Sequence, residues 1–365
     1  MFECEIQLDT TRKVSLKGFL FEQTVPLFRS DEKVTGKGAS SCANMANAQA
    51  WRAVVIKSPP NRAVSHYGVR VELESSMQFY DSLNSISVTP SDENAGMEAA
   101  REGVVEGTIE VPFELNLALC KGKDGKPMVE SYDGEKFDVR HALLVTIKRP
   151  WYTFAVTRVT GIAIQNIAPA PASDDLARAV PTQLGVVSRV PSIVVDDCGG
   201  TCTFSYGRAH WNIGDTIHGT LKFSDKLAKP LTAGRLVLYK IEIADGDTQE
   251  KTVKELVIFG PAETASPKEG EEAPPPRPAP ARTEPVVGGE SLDVTFPLVA
   301  EPHGPSIGPT YDELNDEDAP VNVHYYLRIL LEDGSATKEA PNNGKFWNTH
   351  EIVLYRSKLS GTESV

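Results

Sequence analysis

Two runs of residues, one in each half of this 365-residue chain, look like a single structural element used twice. Residues 139–149 read VRHALLVTIKR, and residues 323–333 read VHYYLRILLED. Both runs are rich in β-branched, aromatic and aliphatic residues and end on charged ones, a composition typical of strands in a β-sandwich. Since a chain of this length usually forms about two domains, the pair predicts two similar all-β modules in tandem.

The charge balance restricts the partners that the chain can bind directly. The sequence holds 37 basic and 50 acidic residues, a formal net charge of −13. Wrapping nucleic acid and lying flat on an anionic membrane both need a cationic surface, so we expect neither function. No run of about 18 apolar residues occurs, and acidic residues stand at the N-terminus where a signal peptide is basic. We therefore expect a cytoplasmic protein.

The remaining pattern predicts a β-sandwich in each half. Residues 67–74 alternate, with Val69, Val71 and Leu73 on one face, which is typical of a half-buried antiparallel strand. About seven short strands are indicated per half, with no convincing amphipathic helix. The predicted organisation is an N-terminal sandwich over residues 1–170, a connection over 171–190, a C-terminal sandwich over 191–357 and a tail over 358–365.

A proline-rich stretch interrupts the second predicted sandwich at residues 261–285. Proline lacks the N–H that a strand ladder needs, so this stretch is expected to form an extended loop between strands. Its segment PPPRPAP at residues 274–280 also contains a PxxP pattern that an SH3-type domain could bind. An inserted spacer without a partner is the alternative interpretation.

The strongest candidate for chemistry is a metal site built from Cys198 and Cys202 with His210 and His218 downstream. Thiolate and imidazole groups are preferred zinc ligands, but structural zinc sites usually hold their two histidines about three to five residues apart. The five cysteines are odd in number and irregularly spaced, so we expect buried thiols and no disulfide framework. We predict no metal, no cofactor and no catalytic residue, which favours protein binding over an enzyme.

Several blocks of sequence, which touch both halves of the chain and appear in the order found in the family, are similar to a known family. The blocks are RAVSHYGVRVE at 62–72, ESYDG at 130–134, VR at 139–140, TIKR at 146–149, DDC at 196–198, FSY at 204–206, GDTIHG at 214–219, GES at 289–291, VHYYL at 323–327 and EIVLYR at 351–356. On these blocks the chain resembles the arrestin-like small subunit of the retromer, the vacuolar protein sorting-associated protein 26 family. The resemblance implies a bilobal arrestin-like fold of two β-sandwiches.

The resemblance also implies two binding surfaces. In that family the loop before the Gly-Glu-Ser motif offers apolar residues to the large α-solenoid subunit, which here singles out Val286, Val287, Gly289 and Glu290. The N-terminal lobe is expected to face a sorting nexin and the cytoplasmic tail of the cargo. An edge strand at about residues 158–167 would pair with that tail by β-augmentation. The residues expected at this edge are Thr160, Ile162 and Ile164, with ordinary sandwich packing as the alternative.

The function implied by the resemblance is that of a non-enzymatic adaptor in retromer. Such a subunit takes part in the retrieval of membrane cargo from endosomes to the Golgi or to the cell surface. It is expected to be cytoplasmic and peripheral on endosomes, with membrane association indirect, through its partners. A retriever-type or α-arrestin-like trafficking adaptor is the alternative within the fold, although the Pro-Pro-x-Tyr motifs of α-arrestins are absent from this sequence.

Overall fold

The computed structural model describes residues 3–8, 12–17, 22–36, 54–79, 85–88, 96–120, 129–150, 153–167, 191–244, 246–261, 282–299, 307–312, 321–337, 340 and 342–357. The chain divides into two compact units, Met1–Ile167 and Ala168–Val365. Over the described ranges, the single helical element is a 3₁₀ turn at Leu117–Leu119. All other regular structure there is strand.

The first unit contains fifteen described strands, β1 to β15. Their bounds are β1 Glu3–Ile6, β2 Lys13–Lys17, β3 Glu22–Arg29, β4 Lys33–Gly36, β5 Val54–Lys57, β6 Val64–His66, β7 Gly68–Phe79, β8 Ser85–Val88, β9 Gly96–Ala100, β10 Gly103–Val105, β11 Thr108–Val111, β12 Phe113–Asn116, β13 Tyr132–Asp133, β14 Phe137–Lys148 and β15 Val156–Gln165.

The largest sheet of the first unit is centred on β14. Its strand order is β2-β3-β15-β14-β7-β8, and β9 and β13 pair at its margins. Strand β14 pairs antiparallel with β7 over its full length and with β15 on its other side. Alternate residues of a strand point to opposite faces, so Leu143, Val145 and Ile147 all enter the core. The smaller sheet β1-β5-β11 packs on the same core through Val54 and Ile56.

The second unit contains ten described strands, β16 to β25. Their bounds are β16 Ser192–Val195, β17 Cys202–Tyr206, β18 His210–Asn212, β19 Thr216–Phe223, β20 Ala233–Ala244, β21 Asp247–Phe259, β22 Ser291–Pro297, β23 Tyr311–Asp312, β24 Val321–Glu332 and β25 Lys345–Tyr355.

Two sheets form the sandwich of the second unit. The smaller has the order β16-β17-β19-β22, and the larger has the order β18-β25-β24-β20-β21 with β23 paired to β24. Aromatic side chains join them across the core. The Phe223 and Phe259 rings lie edge to face with centroids 5.9 Å apart. The Tyr206 hydroxyl is hydrogen-bonded to Nδ1 of His350.

The prediction of an all-β chain is confirmed. The runs at 139–149 and 323–333 coincide with β14 and β24, and each is a central strand with a long partner on both sides. The alternation at 67–74 falls within β7, where Val69, Val71 and Leu73 are buried. The predicted connection at 171–190, the tail at 358–365 and residues 262–281 of the proline-rich loop lie outside the described residues. The domain limits therefore stay predictions.

Candidate partner-binding site

Residues 282–290 of the second unit, here named the valine loop, lead into strand β22 and contain all four residues expected at a partner interface. The loop is fastened at both ends to the body of its unit. At its start, the carbonyl of Arg282 accepts a hydrogen bond of 2.9 Å from the N–H of Gly260. At its end, the N–H of Phe223 donates to the carbonyl of Glu290 at 3.0 Å. The backbone of the loop is thus positioned by strands that are distant in sequence.

Val286 and Val287 have opposite environments. Val286 exchanges two hydrogen bonds of 2.9 Å with Leu231, forming an isolated antiparallel bridge. Its side chain is 0% exposed, whereas that of Val287 is 49% exposed. The expectation that both valines offer apolar surface to a partner is therefore corrected: the bridge to Leu231 turns Val286 into the core. Val287 remains as the exposed apolar side chain.

Two consecutive glycines allow the valine loop to approach the segment 223–231, here named the support segment. A Cβ on Gly288 would lie 2.7 Å from the carbonyl oxygen of Ser224. Gly289 has φ of +82°, a left-handed conformation that other L-residues rarely adopt. Its N–H donates to the carbonyl of Phe223 at 3.1 Å. Gly289 therefore positions the loop, and it is itself exposed.

The charged residues of the valine loop act on the loop itself. The Arg282 guanidinium is hydrogen-bonded to the Glu290 carboxylate and also donates to the carbonyl of Pro285 at 3.1 Å. The other carboxylate oxygen of Glu290 accepts a hydrogen bond of 3.3 Å from the N–H of Val287. The hydrogen bond from Arg282, followed by that from Val287, lowers the pKa of Glu290. Glu290 thus orients the residue that carries the exposed side chain.

The strand expected to offer an edge, β15, is covered at its C-terminal end. Ala163, Ile164 and Gln165 pair in parallel with residues 27–29 of β3. The side chains of Ile162 and Ile164 are buried in the core of the first unit, and Thr160 is half-buried on the same face. Ile164 is therefore not an edge residue, and neither isoleucine side chain is available to a partner. The expected edge is thus corrected only at residues 163–165, where β3 occupies it, whereas Thr160 and Ile162 lie outside that pairing.

The N-terminal part of β15, residues 156–162, here named the edge segment, is more open. It pairs with β14 from Val156 to Ile162. Within the part of the chain that the structure describes, no strand pairs with it on the side away from β14. Val159 lies in the middle of this segment and is 54% exposed. An unpaired edge of this kind can accept a further strand.

The residues of the metal candidate are brought together only in part. The Sγ atoms of Cys198 and Cys202 lie 3.3 Å apart, and both cysteines are buried. No group of three or more His, Cys, Asp and Glu side chains that could hold a metal ion occurs in the described ranges. The contact between the two thiols was not predicted. The signal for it was Gly199-Gly200 between them, which permits a tight turn.

Comparison with known proteins links the chain to a known family. The family model of Vps26, vacuolar protein sorting-associated protein 26, matches residues 22–228, more than half of the chain. The match contains the edge segment and the beginning of the support segment and ends before the valine loop. No curated protein matches the chain. Among the described residues, no helix has the length and apolar character needed to cross a membrane.

The matched family agrees with the fold and with the resemblance seen in the sequence blocks. Vps26 proteins have an arrestin-like β-sandwich fold, which the sheets of both units fit. They are adaptor subunits of retromer in protein sorting and catalyse no reaction. The chain therefore belongs to the Vps26 family of arrestin-like, non-enzymatic retromer subunits.

Proposed function

We propose that this chain is the adaptor that joins the large α-solenoid subunit of retromer to cargo during retrieval of membrane proteins from endosomes. Retrieval leads to the Golgi or to the cell surface. The observation that carries the proposal is the construction of the valine loop, in which hydrogen bonds hold the backbone and the apolar side chain of Val287 is left exposed. A loop ordered before binding loses little conformational entropy when it docks.

In this proposal the valine loop contacts the α-solenoid subunit. Val287 supplies the apolar contact, while Gly289 and Glu290 keep the loop in the conformation that presents it. Glu284 belongs to the same loop, its side chain is 82% exposed and lies 4.0 Å from the Arg282 guanidinium, and it supplies a charged rim. Interfaces commonly combine a small apolar centre with a polar margin. Val286 contributes indirectly, through its bridge to Leu231.

The first unit is assigned to the cargo. The cytoplasmic tail of a cargo protein, held together with a sorting nexin, would add a strand to the edge segment. Main-chain hydrogen bonds would then supply affinity, and side chains near Val159 would supply selectivity. Because β14 pairs with the whole edge segment on its other side, the edge is a rigid template.

Localisation follows from the partners in this proposal. A net charge of −13 disfavours direct adsorption to anionic lipids. We place the chain in the cytoplasm and at the endosome surface, recruited by the sorting nexin and the α-solenoid subunit.

A binding assay with purified retromer α-solenoid subunit tests the assignment. The full chain, Val287→Asp and Val299→Asp are each immobilised and titrated with the solenoid subunit. Val299 is a matched control, since it is 52% exposed against 49% for Val287 and lies beyond the opposite end of β22. We expect Val287→Asp to weaken binding at least about tenfold, because a charge replaces a central apolar contact. Val299→Asp should bind as the wild type does.

The same assay separates the alternatives. An equal loss of affinity in both variants, or no loss of affinity in Val287→Asp, would mean that the chain binds the solenoid subunit through a surface other than the valine loop. If the wild-type chain, folded by circular dichroism, bound the solenoid subunit of retriever and not that of retromer, the retriever-type alternative would replace this proposal. Binding to neither subunit would leave the α-arrestin-like adaptor as the remaining candidate.

A further inference from the structure

The turn between β16 and β17 contains two thiols in direct contact. Cys198 lies in the turn, and Cys202 opens β17, where it pairs with Val195 across the hairpin. Their Sγ atoms are 3.3 Å apart, within hydrogen-bonding distance. The Cys198 sulfur is also 3.2 Å from the carbonyl oxygen of Gly200. Since a disulfide bond is about 2 Å long, the sulfurs need only approach each other by about 1.3 Å to close one.

The two thiols differ in acidity. The hydrogen bond from Cys202 lowers the pKa of Cys198 to about 7, although burial opposes the shift; backbone hydrogen bonds at Cys198 and Gly200 lower it further, and the charge of Asp196 raises it. The same hydrogen bond, together with burial, raises the pKa of Cys202. A thiolate is the reactive form of cysteine. Cys198 is therefore the nucleophile of the pair, and Cys202 holds the proton.

The turn is also packed against the support segment. The N–H of Ala228 donates a hydrogen bond of 3.0 Å to the carbonyl of Gly199. The N–H of Ser224 donates one of 2.9 Å to the carbonyl of Thr201. A Cβ on Gly199 would lie 2.8 Å from the Cβ of Ala228. The support segment in turn contacts the valine loop through Phe223, Ser224 and Leu231. These contacts connect the turn to residues that hold the loop.

We propose that Cys198 and Cys202 form a redox-active pair that hydrogen peroxide converts into a disulfide, and that closing this bond shifts the support segment beneath the valine loop. The oxidant is hydrogen peroxide because it is small and Cys198 is only 4% exposed. In reducing compartments such a pair rests as two thiols and forms a disulfide transiently.

The chemistry proceeds in two steps. The Cys198 thiolate attacks one oxygen of hydrogen peroxide, the O–O bond breaks, and Cys198 becomes a sulfenic acid while hydroxide leaves. Cys198 then no longer carries the charge to which Cys202 donates, so the main cause of the raised pKa of Cys202 is removed. The sulfur of Cys202 attacks that of Cys198, the S–O bond breaks, and the departing hydroxide takes the thiol proton to form water. Two thiols and one peroxide give one disulfide and two waters.

Peroxide treatment of the full folded chain, followed by alkylation and peptide mass mapping, tests the chemistry. We expect Cys198 and Cys202 to lose their alkylation sites together and the single peptide that carries both to be two hydrogens lighter than its reduced form. Cys202→Ser should stop at a sulfenic acid that dimedone traps on Cys198. Cys198→Ser should slow oxidation of Cys202 at least about tenfold, because the thiolate is absent. Cys120→Ser, a change at a buried cysteine outside the pair, should behave as the wild type does.

Peroxide oxidation of the wild-type chain tests the proposed site without any variant. Retention of both thiols in the folded chain, or a disulfide from this pair to Cys4, Cys42 or Cys120, would overturn the proposed site. Circular dichroism of each serine variant, with Cys202→Ala as a second replacement, separates a loss of reactivity from a loss of folding.

Hydrogen exchange tests the structural link separately. Oxidised wild-type chain is compared with the same sample after reduction by dithiothreitol, and β14 of the first unit is the internal control. We expect exchange to change in the peptides that cover residues 223–231 and 286–290 and to stay constant in β14. Unchanged exchange in those peptides would overturn the link. An effect on retromer assembly rests on the proposed function and is not needed for either readout, so the two proposals fail independently.

Discussion

The valine loop of the second unit and the edge segment of the first expose opposite parts of the polypeptide. In the valine loop, hydrogen bonds to Leu231, Phe223 and Gly260 occupy the backbone, and a side chain is left exposed. In the edge segment, β14 occupies one side of the strand, and no described strand pairs with the other. In the proposed function, the first surface would recognise a partner by shape and apolar contact, and the second by main-chain pairing.

Under the proposed function, this difference would suit one surface to a constant partner and the other to a variable one. A pre-ordered side chain requires a complementary pocket, which a fixed subunit of a complex can provide. Main-chain pairing depends little on the sequence of the added strand, so an unpaired edge could accept tails of many different sequences. The two surfaces should therefore respond differently to substitution, pH and backbone strain.

The largest contrast is expected between the adjacent valines of the loop. Val286→Asp places a carboxylate in the core without a partner and should lower the free energy of unfolding of the second unit by about 3 kcal/mol or more. Val287→Asp should change it by no more than about 0.5 kcal/mol, because the side chain is at the surface. Urea unfolding of both variants measures the difference. Similar losses in the two variants would contradict the assignment of one valine to the core.

Acid should lower the free energy of unfolding of the first unit through His141, which lies on β14 and pairs with Ile162 of the edge segment. Burial lowers the pKa of His141 from 6.5 to about 4, while a hydrogen bond to the carbonyl of Val129 opposes the shift. The unfolded chain then binds a proton first as pH falls. The free energy of unfolding should fall by about 1.4 kcal/mol for each pH unit below 6.5 until about pH 4. Above pH 6.5 the contribution is complete.

The control for this pH dependence is His141→Gln, which cannot titrate. Urea unfolding between about pH 7 and about pH 5 should show a smaller slope for the variant than for the wild type. Burial also lowers the pKa of His66 in the same unit, so the variant should retain a residual slope. Parallel curves for the two proteins would mean that His141 keeps its ordinary pKa on folding.

A smaller effect is expected from the backbone of the valine loop. Gly289→Ala forces a side chain onto a residue with φ of +82° and places its Cβ 2.7 Å from Oδ1 of Asp225. We expect a loss of about 1–2 kcal/mol of stability and weaker binding to the α-solenoid subunit. Gly207→Ala is the matched control, since a Cβ there meets no atom within 4 Å. Equal stability of the two variants would show that the loop tolerates another conformation.

The smallest effect on stability is expected at the edge segment. Val159→Asp and the control Val104→Asp change valines that are 54% and 62% exposed in the same unit. Both should stay within about 0.5 kcal/mol of the wild type. The affinity of a cargo-tail peptide for the assembled complex should fall up to about fivefold for Val159→Asp and remain constant for Val104→Asp. An equal response of the two variants would remove the edge segment from the cargo site.

Several parts of the fold could be predicted because they depend on local patterns. The alternation in β7 and the apolar runs in β14 and β24 assign these strands by residue type alone. The position of the edge could not be predicted in this way. Thr160, Ile162 and Ile164 lie on one face of β15 because alternate residues share a face, but β3 decides which end of the strand is covered. That strand lies far away in the sequence.

By itself, the sequence determined the all-β class and the Vps26 family, since both depend on residue types in a fixed order along the chain. Only the tertiary structure decided that Val286 is buried and Val287 exposed, because Leu231 supplies the bridge that orients them. It likewise decided the contact between Cys198 and Cys202, where the turn packs on Ala228. Both features depend on which backbone groups, distant in the sequence, form hydrogen bonds with each other. Residue types along the chain do not specify that pairing.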